Sequence, residues 1–183
     1  MTAKNIMTSR LITLQPSDKV SDAVMRMHKH HVRNLPVVDE SGEFVGLFGV
    51  RRLSRLLLPK AASELGRYSL TDLGFMPENY DEMIEQMREI AEKPVSDFLE
   101  KEKKLLFCTP QTPVPEVLKL LDDSKDTSLP VIVVTGKAKK LVGLLSVWDI
   151  FEWIVFMASM QQSTGTDEEN TTGNITSQKG TDP

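Results

Sequence analysis

The sequence predicts an α/β fold of the α+β type, in which two β-α-β-β-α repeats pack as a pseudo-twofold pair with a helical insert between them. The main observation is an internal repeat: LPVV at residues 35–38 returns as LPVI at 129–132, and VGLF at 45–48 returns as VGLL at 142–145. These runs have the length and apolar character of buried strands, and segments of helical period lie around them. One repeat of about 55 residues is too small for an independent core, which favours two copies packed together.

The first repeat, residues 1–59, is predicted to begin with a strand at residues 11–14. A helix follows, because the next apolar positions share one helical face: Val20, Ala23, Val24 and Met27. The LPVV and VGLF runs then form a β-hairpin that turns at residues 40–43. A last helix closes the repeat.

The second repeat, residues 95–158, follows the same order. Its first strand is predicted at residues 105–108, and the helix after it has its own apolar face: Val114, Val117, Leu118 and Leu121. Relative to the first repeat, three extra residues fall in the turn at 135–140, an exposed position where insertions are tolerated. The last strand, 141–145, runs into a helix that begins at Ser146.

The insert, residues 60–94, contains one further predicted helix at residues 77–93, with Met and Ile side chains along one face. That face could bind a partner or pack against the repeats, and the sequence leaves both open. Residues 61–75 are predicted to be irregular. The end of the chain is rich in Ser, Thr, Gly, Asp and Glu, so residues 159–183 are predicted to form a disordered tail, to which we assign no function.

Composition argues against several classes of protein. The net charge of -4 disfavours a nucleic-acid partner, because such proteins carry a basic face. The single cysteine, Cys108, excludes an internal disulfide and a cysteine-based zinc site, and it suits a reducing cytoplasm. The amino terminus lacks the apolar core of a signal peptide. The longest apolar stretch, 147–160, is interrupted by Asp149 and Glu152, so no membrane span and a cytoplasmic location are expected.

Two polar side chains stand where the last predicted strand meets the last helix. Ser146 and Asp149 lie three residues apart at this junction, where α/β folds place polar ligands. A hydroxyl and a carboxylate in this arrangement could bind the two hydroxyls of a ribose. The same residues also fit a helix-capping box, with Ser146 as the N-cap, and the four residues alone leave both interpretations open.

The two repeats together resemble a pair of CBS domains, the Bateman module, over residues 5–153 apart from the insert. The resemblance rests on Leu-Pro-Val before each hairpin and on Gly followed by two apolar residues before each last helix. It implies clefts between the repeats that bind adenosine-containing ligands, and assembly into flat dimers. It also implies a regulatory role exerted through a partner or oligomer, since the chain contains no recognisable catalytic domain.

The resemblance implies one competent ribose site. The family's ribose motif, Gly, two apolar residues, Ser or Thr, any two residues and Asp, is matched by GLLSVWD at residues 143–149. The first repeat has Gly49 in place of the hydroxyl and Arg52 in place of the carboxylate. A guanidinium only donates hydrogen bonds, so this second ribose site is expected to be lost, although Arg52 could bind an anion.

Phosphate and base contacts are implied in the same way. In the family, polar or basic residues before Leu-Pro in the opposite repeat meet the phosphates, and four residues fit here: Lys29, His30, Arg33 and Asn34. The equivalent segment of the second repeat, 125–128, lacks Arg and carries an acid. The adenine is expected beside three residues of the second repeat: Phe107, Cys108 and Thr109. Phe107 and Cys108 could equally be strand core.

We therefore predict a non-enzymatic regulatory module that binds an adenosine nucleotide (AMP, ADP or ATP), with S-adenosylmethionine as a further candidate. A homodimer is expected, with Trp148 and Trp153 at its contact or in the core, and an unknown protein partner is a further expectation. The first rival is a ligand-free scaffold, in which Ser146 and Asp149 only cap the helix.

An enzyme is the more distant rival. His28 and His31 could share a helical face, but two histidines without a third ligand make a weak metal site. Cys108 as a nucleophile would need a neighbouring base, and the sequence identifies none.

Overall fold

The computed structural model describes residues 1–57, 80–100, 102–124 and 129–164. The helices of these ranges are α1 (Ala3–Ile6), α2 (Val20–His30), α3 (Val50–Leu57), α4 (Tyr80–Ala91), α5 (Val114–Asp123) and α6 (Val147–Thr164). The strands are β1 (Asn34–Val38), β2 (Phe44–Gly49), β3 (Leu106–Cys108), β4 (Val131–Thr135) and β5 (Lys140–Leu145). Short 3₁₀ helices, Val95–Phe98 and Glu102–Lys104, lead into the second repeat. The fold is the predicted α+β type.

The first repeat carries a hairpin of β1 and β2. Gly42 lies at its turn with a φ of 83°, in the left-handed region that favours glycine. Asp39 stabilises the turn, because its Oδ1 accepts hydrogen bonds from the Ser41 hydroxyl at 2.8 Å and from Glu43 N at 2.9 Å. These two hydrogen bonds hold the pKa of Asp39 below its usual range.

The prediction of a strand at residues 11–14 is wrong. Leu14 alone in this segment bridges to β1, where it donates to Pro36 O and accepts from Val38 N, both at 2.9 Å. The residues before it, 10–12, leave the sheet and line a cleft between the repeats. A strand requires successive backbone groups to find partners, and here only Leu14 lies in register with β1.

The second repeat forms a three-stranded sheet, in which β3 runs parallel to β4 and β4 runs antiparallel to β5. Strands β3 and β5 lie within one residue of their predicted bounds. A β-bulge interrupts each hairpin next to the pair that contains the VGL glycine: between Val37 and Val38 beside Gly46, and between Val133 and Val134 beside Gly143. Since bulges redirect the strand that follows, the duplication extends to fine backbone detail.

The first residues of each repeat pack on the other repeat. Ala3 N donates to Thr112 O at 2.8 Å. Thr8 exchanges two backbone hydrogen bonds with Leu144, at 2.9 and 3.0 Å. The amino terminus of the chain therefore belongs structurally to the second repeat.

The first residues of the second repeat make the matching bonds on the first repeat. Val95 N donates to Asp18 O at 2.8 Å, and Glu100 N donates to Leu47 O at 2.9 Å. Glu100 thus occupies the position in the first repeat that Thr8 occupies in the second. This reciprocal exchange joins the repeats into one pseudo-twofold unit, because each supplies backbone partners that the other needs.

The exchange explains the glycine in each VGL motif. A Cβ on Gly46 would lie 2.6 Å from Leu99 Cδ1 and 3.3 Å from Leu99 Cβ. A Cβ on Gly143 would lie 2.6 Å from Met7 Sδ. Both glycines therefore serve the close approach of the segment exchanged from the other repeat.

We expect Gly46→Ala to lower the free energy of unfolding by about 1–3 kcal/mol, because it overpacks the contact with Leu99. Gly143→Ala is the matched comparison and should cost a similar amount, because its Cβ would also lie 3.2 Å from the backbone oxygen of Thr8, which cannot rotate away. Urea denaturation of both variants measures the two losses. An unchanged stability of Gly46→Ala would contradict the close approach.

Each repeat has a buried core of its own, and a third apolar cluster joins the two sheets. Phe48 lies fully buried in the first core and Leu145 in the second. The joining cluster contains residues from both repeats: Leu47, Leu105, Leu129, Ile132 and Val134. Burial of this cluster from both sides favours sheet-to-sheet packing, since apolar surface removed from water contributes roughly 25 cal/mol per Å².

Helix α4 lies within the predicted helix of the insert and contacts α2 and α3. Ile90 packs against the first core, whereas Ile84 is exposed. Lys19 Nζ and Glu92 Oε2, 2.6 Å apart, form an ion pair beside this helix. The segment predicted to be irregular, 61–75, lies outside the described residues.

The prediction that the tail is disordered from residue 159 is wrong for its first residues, because α6 continues to Thr164. Helix extension is cooperative once a helix has formed, and Met and Gln in this stretch favour it. Residues 165–183 lie outside the described part of the chain. Within the described ranges, no helix combines the length and apolarity needed to cross a membrane.

Candidate functional site

A cleft of about 660 Å³ opens between the repeats at the amino end of α6. The second repeat contributes Ser146, Trp148 and Asp149 to its wall, and the first contributes residues 31–36 and 10–12. This volume falls within the range of about 300–1,000 Å³ for small-molecule sites. The structure therefore brings four residues of the sequence prediction into one cleft: Ser146, Asp149, Arg33 and Asn34.

Ser146 and Asp149 form the capping arrangement that the sequence left open. Asp149 Oδ2 accepts hydrogen bonds from Ser146 N at 2.6 Å and from the Ser146 hydroxyl. The reciprocal bond from Asp149 N to Ser146 Oγ is longer, at 3.4 Å. A negative charge here is favoured by the dipole of α6. The structure thus contains the helix cap at Ser146.

Thr8 is a site residue that the sequence did not predict. Its hydroxyl donates to Asp149 Oδ1 at 3.0 Å, across 141 residues of sequence, and Thr8 also lines the cleft. The exchanged amino-terminal segment places it there, since its backbone pairs with Leu144 just before the end of β5. No local pattern in the sequence marks this contact.

The Asp149 carboxylate retains capacity for a ligand. A carboxylate offers about four acceptor positions, and three are used, by Ser146 N, the Ser146 hydroxyl and the Thr8 hydroxyl. A ribose hydroxyl can therefore reach Oδ1 without displacing a bond, and rotation of the Thr8 side chain admits a second. Capping and ribose binding are compatible functions of the same carboxylate.

The cleft also has a cationic lining. Arg33 lines it together with Arg10 and His31, two residues that are not among the predicted site residues. His31 ends α2 with a φ of 54°, a left-handed conformation that costs a non-glycine residue about 1–2 kcal/mol. The two guanidinium groups outnumber the one carboxylate, so the charge of the lining is net positive. Guanidinium groups bind phosphate oxygens in a bidentate manner.

Five other predicted residues do not line the cleft. Lys29 and His30 are exposed in the last turn of α2. The remaining three belong to or follow β3: Phe107, Cys108 and Thr109. The geometry does not support a base-binding role for these three, because the cleft beside Asp149 is bordered instead by residues 10–12 of the first repeat.

The side chains around β3 have structural contacts of their own. Phe107 packs edge-on against Phe44, with ring centroids 5.7 Å apart, and Lys139 Nζ lies 4.8 Å from the Phe107 centroid. Thr109 N donates to Thr112 Oγ1 at 3.0 Å. These contacts follow from the pairing of β3 with β4, which directs the strand into the sheet.

The two enzymatic alternatives are a nucleophilic Cys108 and a metal site at His28 and His31, and the described residues support neither. Burial raises the pKa of the Cys108 thiol to about 11, with a smaller contribution from the charge of Glu116, so the nucleophilic thiolate is scarce at neutral pH. The rings of His28 and His31 lie 6.4 Å apart. The described residues contain no group of three or more His, Cys, Asp or Glu side chains suited to a metal ion.

Helix α6 exposes a broad apolar face beside the cleft. Trp148 is 80% exposed although it also borders the cleft. Further large apolar side chains on the same helix are exposed: Phe151, Ile154, Val155, Phe156, Met157 and Met160. Trp153 is only partly exposed and shares a smaller cavity with Asn5 and Ile6 beside α1. Trp148, rather than Trp153, is thus available to a partner.

Comparison with known proteins agrees with this architecture. The family model for the CBS domain matches residues 3–59 and 95–156. The chain is 28% identical over 138 residues to CBSX3, a mitochondrial CBS domain-containing protein of Arabidopsis thaliana, which covers 75% of this chain and 53% of that protein. The chain therefore spans about half the length of this relative.

Two solved structures share the fold. One is CBSX2 of Arabidopsis thaliana in complex with AMP, with a TM-score of 0.61 and 22% identity over 86% of this chain and 98% of that chain. The other is the CBS domain pair of MJ0100 in complex with 5′-methylthioadenosine and S-adenosyl-L-methionine, with a TM-score of 0.57 and 16% identity over 86% and 98% of the two chains. Because the family match covers both halves of the duplicated fold, the chain belongs to the CBS domain family and is a tandem CBS pair.

Proposed function

We propose that this CBS pair is a non-enzymatic regulatory module that binds an adenine nucleotide in the cleft at Ser146 and Asp149. The observation that carries the proposal is the presence of two complementary chemistries in the lining of one cleft. A hydroxyl and a carboxylate come from Ser146 and Asp149, and two guanidinium groups come from Arg10 and Arg33. Ribose and phosphate are the parts of a nucleotide that need these two chemistries.

The proposed ligand is AMP, ADP or ATP rather than S-adenosylmethionine. The lining carries two guanidinium groups and one carboxylate among its permanently charged groups. Phosphate oxygens complement this excess of positive charge, whereas the sulfonium of S-adenosylmethionine is repelled by it. The AMP complex of CBSX2 and the S-adenosyl-L-methionine complex of MJ0100 support an adenosine ligand in general terms.

Thermal unfolding in the presence of AMP, ADP, ATP, S-adenosylmethionine and GTP tests the ligand class. A ligand at 100 times its dissociation constant should stabilise the protein by about 2.7 kcal/mol, which raises Tm by roughly 5–11 °C for a chain of this size. We expect at least one phosphorylated adenosine to give this shift, with a smaller shift for S-adenosylmethionine. GTP controls for binding of phosphates alone.

A ligand-free scaffold is the second candidate, favoured by the complete cap at Ser146 and Asp149. The scaffold predicts no thermal shift with any compound of the panel. A uniform shift with GTP and the adenine nucleotides would instead indicate a phosphate site without base recognition. Either result would overturn the proposed function.

We also propose that the module acts as a homodimer through α6. The outer stripe of Trp148, Phe151, Ile154 and Val155 exposes roughly 500 Å² of side chain, since aromatic residues alone bury about 150–250 Å² each when covered. Exposed apolar side chains beyond it extend this area toward the ~800 Å² per partner of a stable interface. Self-packing suits this face, because it is far more apolar than the arginine-rich α3 that is its pseudo-twofold equivalent.

A nucleotide signal could pass through Trp148. This side chain borders the cleft and belongs to the exposed face of α6, so a ligand that moves it changes the proposed dimer contact. A ligand can shift the arrangement of the dimer only by its difference in affinity for the two arrangements. An unidentified protein partner could receive the signal in the same way.

A further inference from the structure

The place in the first repeat that corresponds to Thr8 and Asp149 in the second carries two charged residues, Glu100 and Arg52. Arg52 lies in the first turn of α3, directly after β2, as Asp149 lies in the first turn of α6, directly after β5. Glu100 N donates to Leu47 O at 2.9 Å, as Thr8 N donates to Leu144 O at 2.9 Å. The pseudo-twofold relation therefore matches Arg52 with Asp149 and Glu100 with Thr8.

Glu100 and Arg52 each contain a buried polar atom that has no hydrogen-bond partner among the described residues. Glu100 is only 7% exposed, and its Oε1 is buried without a hydrogen-bond partner among the described residues. The Nε of Arg52 is likewise buried without one in the same part of the chain. A buried polar atom without a hydrogen-bond partner is unfavourable, and a hydrogen bond to a group of opposite charge is the strongest way to satisfy Glu100 Oε1 and Arg52 Nε.

The matching pair in the second repeat shows where that partner is. Thr8 and Asp149 touch, with 3.0 Å between the hydroxyl and Oδ1. The longer side chains of Arg52 and Glu100 start from the equivalent backbone positions and carry opposite charges. We propose that Arg52 and Glu100 pair with each other, directly after a rotamer change or through one bridging water, and that this pair seals the second cleft.

The residues around the proposed Arg52–Glu100 pair also disfavour the binding of a nucleotide at this position. Gly49 offers no hydroxyl, and the Asn34 side-chain oxygen occupies the space that a Cβ at position 49 would need. The Arg52 guanidinium has no acceptor for a ribose hydroxyl, and the Glu100 carboxylate repels phosphate. The inference deepens the proposed function, on which its ligand part rests: one chain binds one nucleotide, and Arg52 and Glu100 decide which cleft is used.

Charge reversal tests the pair without any nucleotide. Arg52→Glu and Glu100→Arg should each lower Tm by several degrees, because each places two like charges together. The double variant Arg52→Glu/Glu100→Arg should recover at least half of the summed loss. Losses that simply add would overturn the proposed pair. If a single reversal does not fold, the neutral cycle of Arg52→Gln and Glu100→Gln gives the same comparison.

Titration calorimetry of the full chain with ATP and AMP tests the seal. A stoichiometry of one nucleotide per chain is expected, and two per chain would overturn the inference while leaving the proposed function intact. A chain that binds neither nucleotide would overturn the proposed function and the one-site statement, and the Arg52–Glu100 pair would then be judged by the charge-reversal cycle alone.

Discussion

Replacing Asp149 with alanine is expected to weaken nucleotide binding by at least about 100-fold. The substitution removes the charged acceptor for the ribose hydroxyls, and hydrogen bonds to charged groups contribute about 1.5–3 kcal/mol each. Since about 1.4 kcal/mol corresponds to a tenfold change in affinity, the loss of two such bonds reaches this magnitude. Titration calorimetry of wild type and variant with the same nucleotide measures the change.

Glu152→Ala is the matched control, because it removes the same charge one turn further along α6 from an exposed residue that lies outside the cleft. It should leave the affinity unchanged. Asp149→Ala should also lower the stability of the free protein by about 1 kcal/mol through loss of the cap. Asp149→Asn keeps an acceptor for Ser146 and separates the two roles. Wild-type affinity in Asp149→Ala would remove this carboxylate from the site.

A double substitution on α6, Phe151→Asp with Val155→Asp, is expected to convert a dimer into monomers. Phe151 and Val155 are 54% and 68% exposed and lie one turn apart on the proposed interface. Two carboxylates buried there without partners would each cost several kcal/mol. Analytical ultracentrifugation across a range of protein concentrations measures the change in mass.

Ile84→Asp is the control for the dimer, since Ile84 is 55% exposed on α4 and does not belong to the proposed interface. It should leave the mass unchanged. A wild-type protein that is monomeric at every concentration would rule out the homodimer, and a different protein or the chain after residue 164 would then have to cover α6. A dimer that survives the double substitution would place the interface on another face.

Most of the fold could be predicted because its signals are local. The LPV and VGL runs are short, apolar and repeated, so β1, β2, β4 and β5 follow from them directly. Residues 11–14 have the same apolar character, so the sequence predicts a strand there, but only Leu14 finds a partner in register. The sequence also predicts too early an end for α6, since composition alone does not show how far a formed helix continues.

The residues of the candidate site also fall into those that local motifs predict and those that only the structure shows. Ser146 and Asp149 follow from a motif of fixed spacing, and Arg33 and Asn34 follow from their place before Leu35 and Pro36. The resemblance places the base contacts at β3, in the repeat that carries the ribose motif, whereas residues 10–12 of the other repeat border the cleft. Spacing within one repeat cannot show which distant segment lies opposite.

The sequence by itself determined the duplication, the order of the elements and the residues that each repeat presents at its strand ends, because these depend on periodicity and on motifs a few residues long. Only the tertiary structure decided that Thr8 contacts Asp149, that Arg10 joins the cleft and that Glu100 is buried at the equivalent of Thr8. The physical reason is the exchange of segments between the repeats. It is held by backbone hydrogen bonds, which any sequence can make, and by close packing at Gly46 and Gly143, where no local pattern shows which segment approaches.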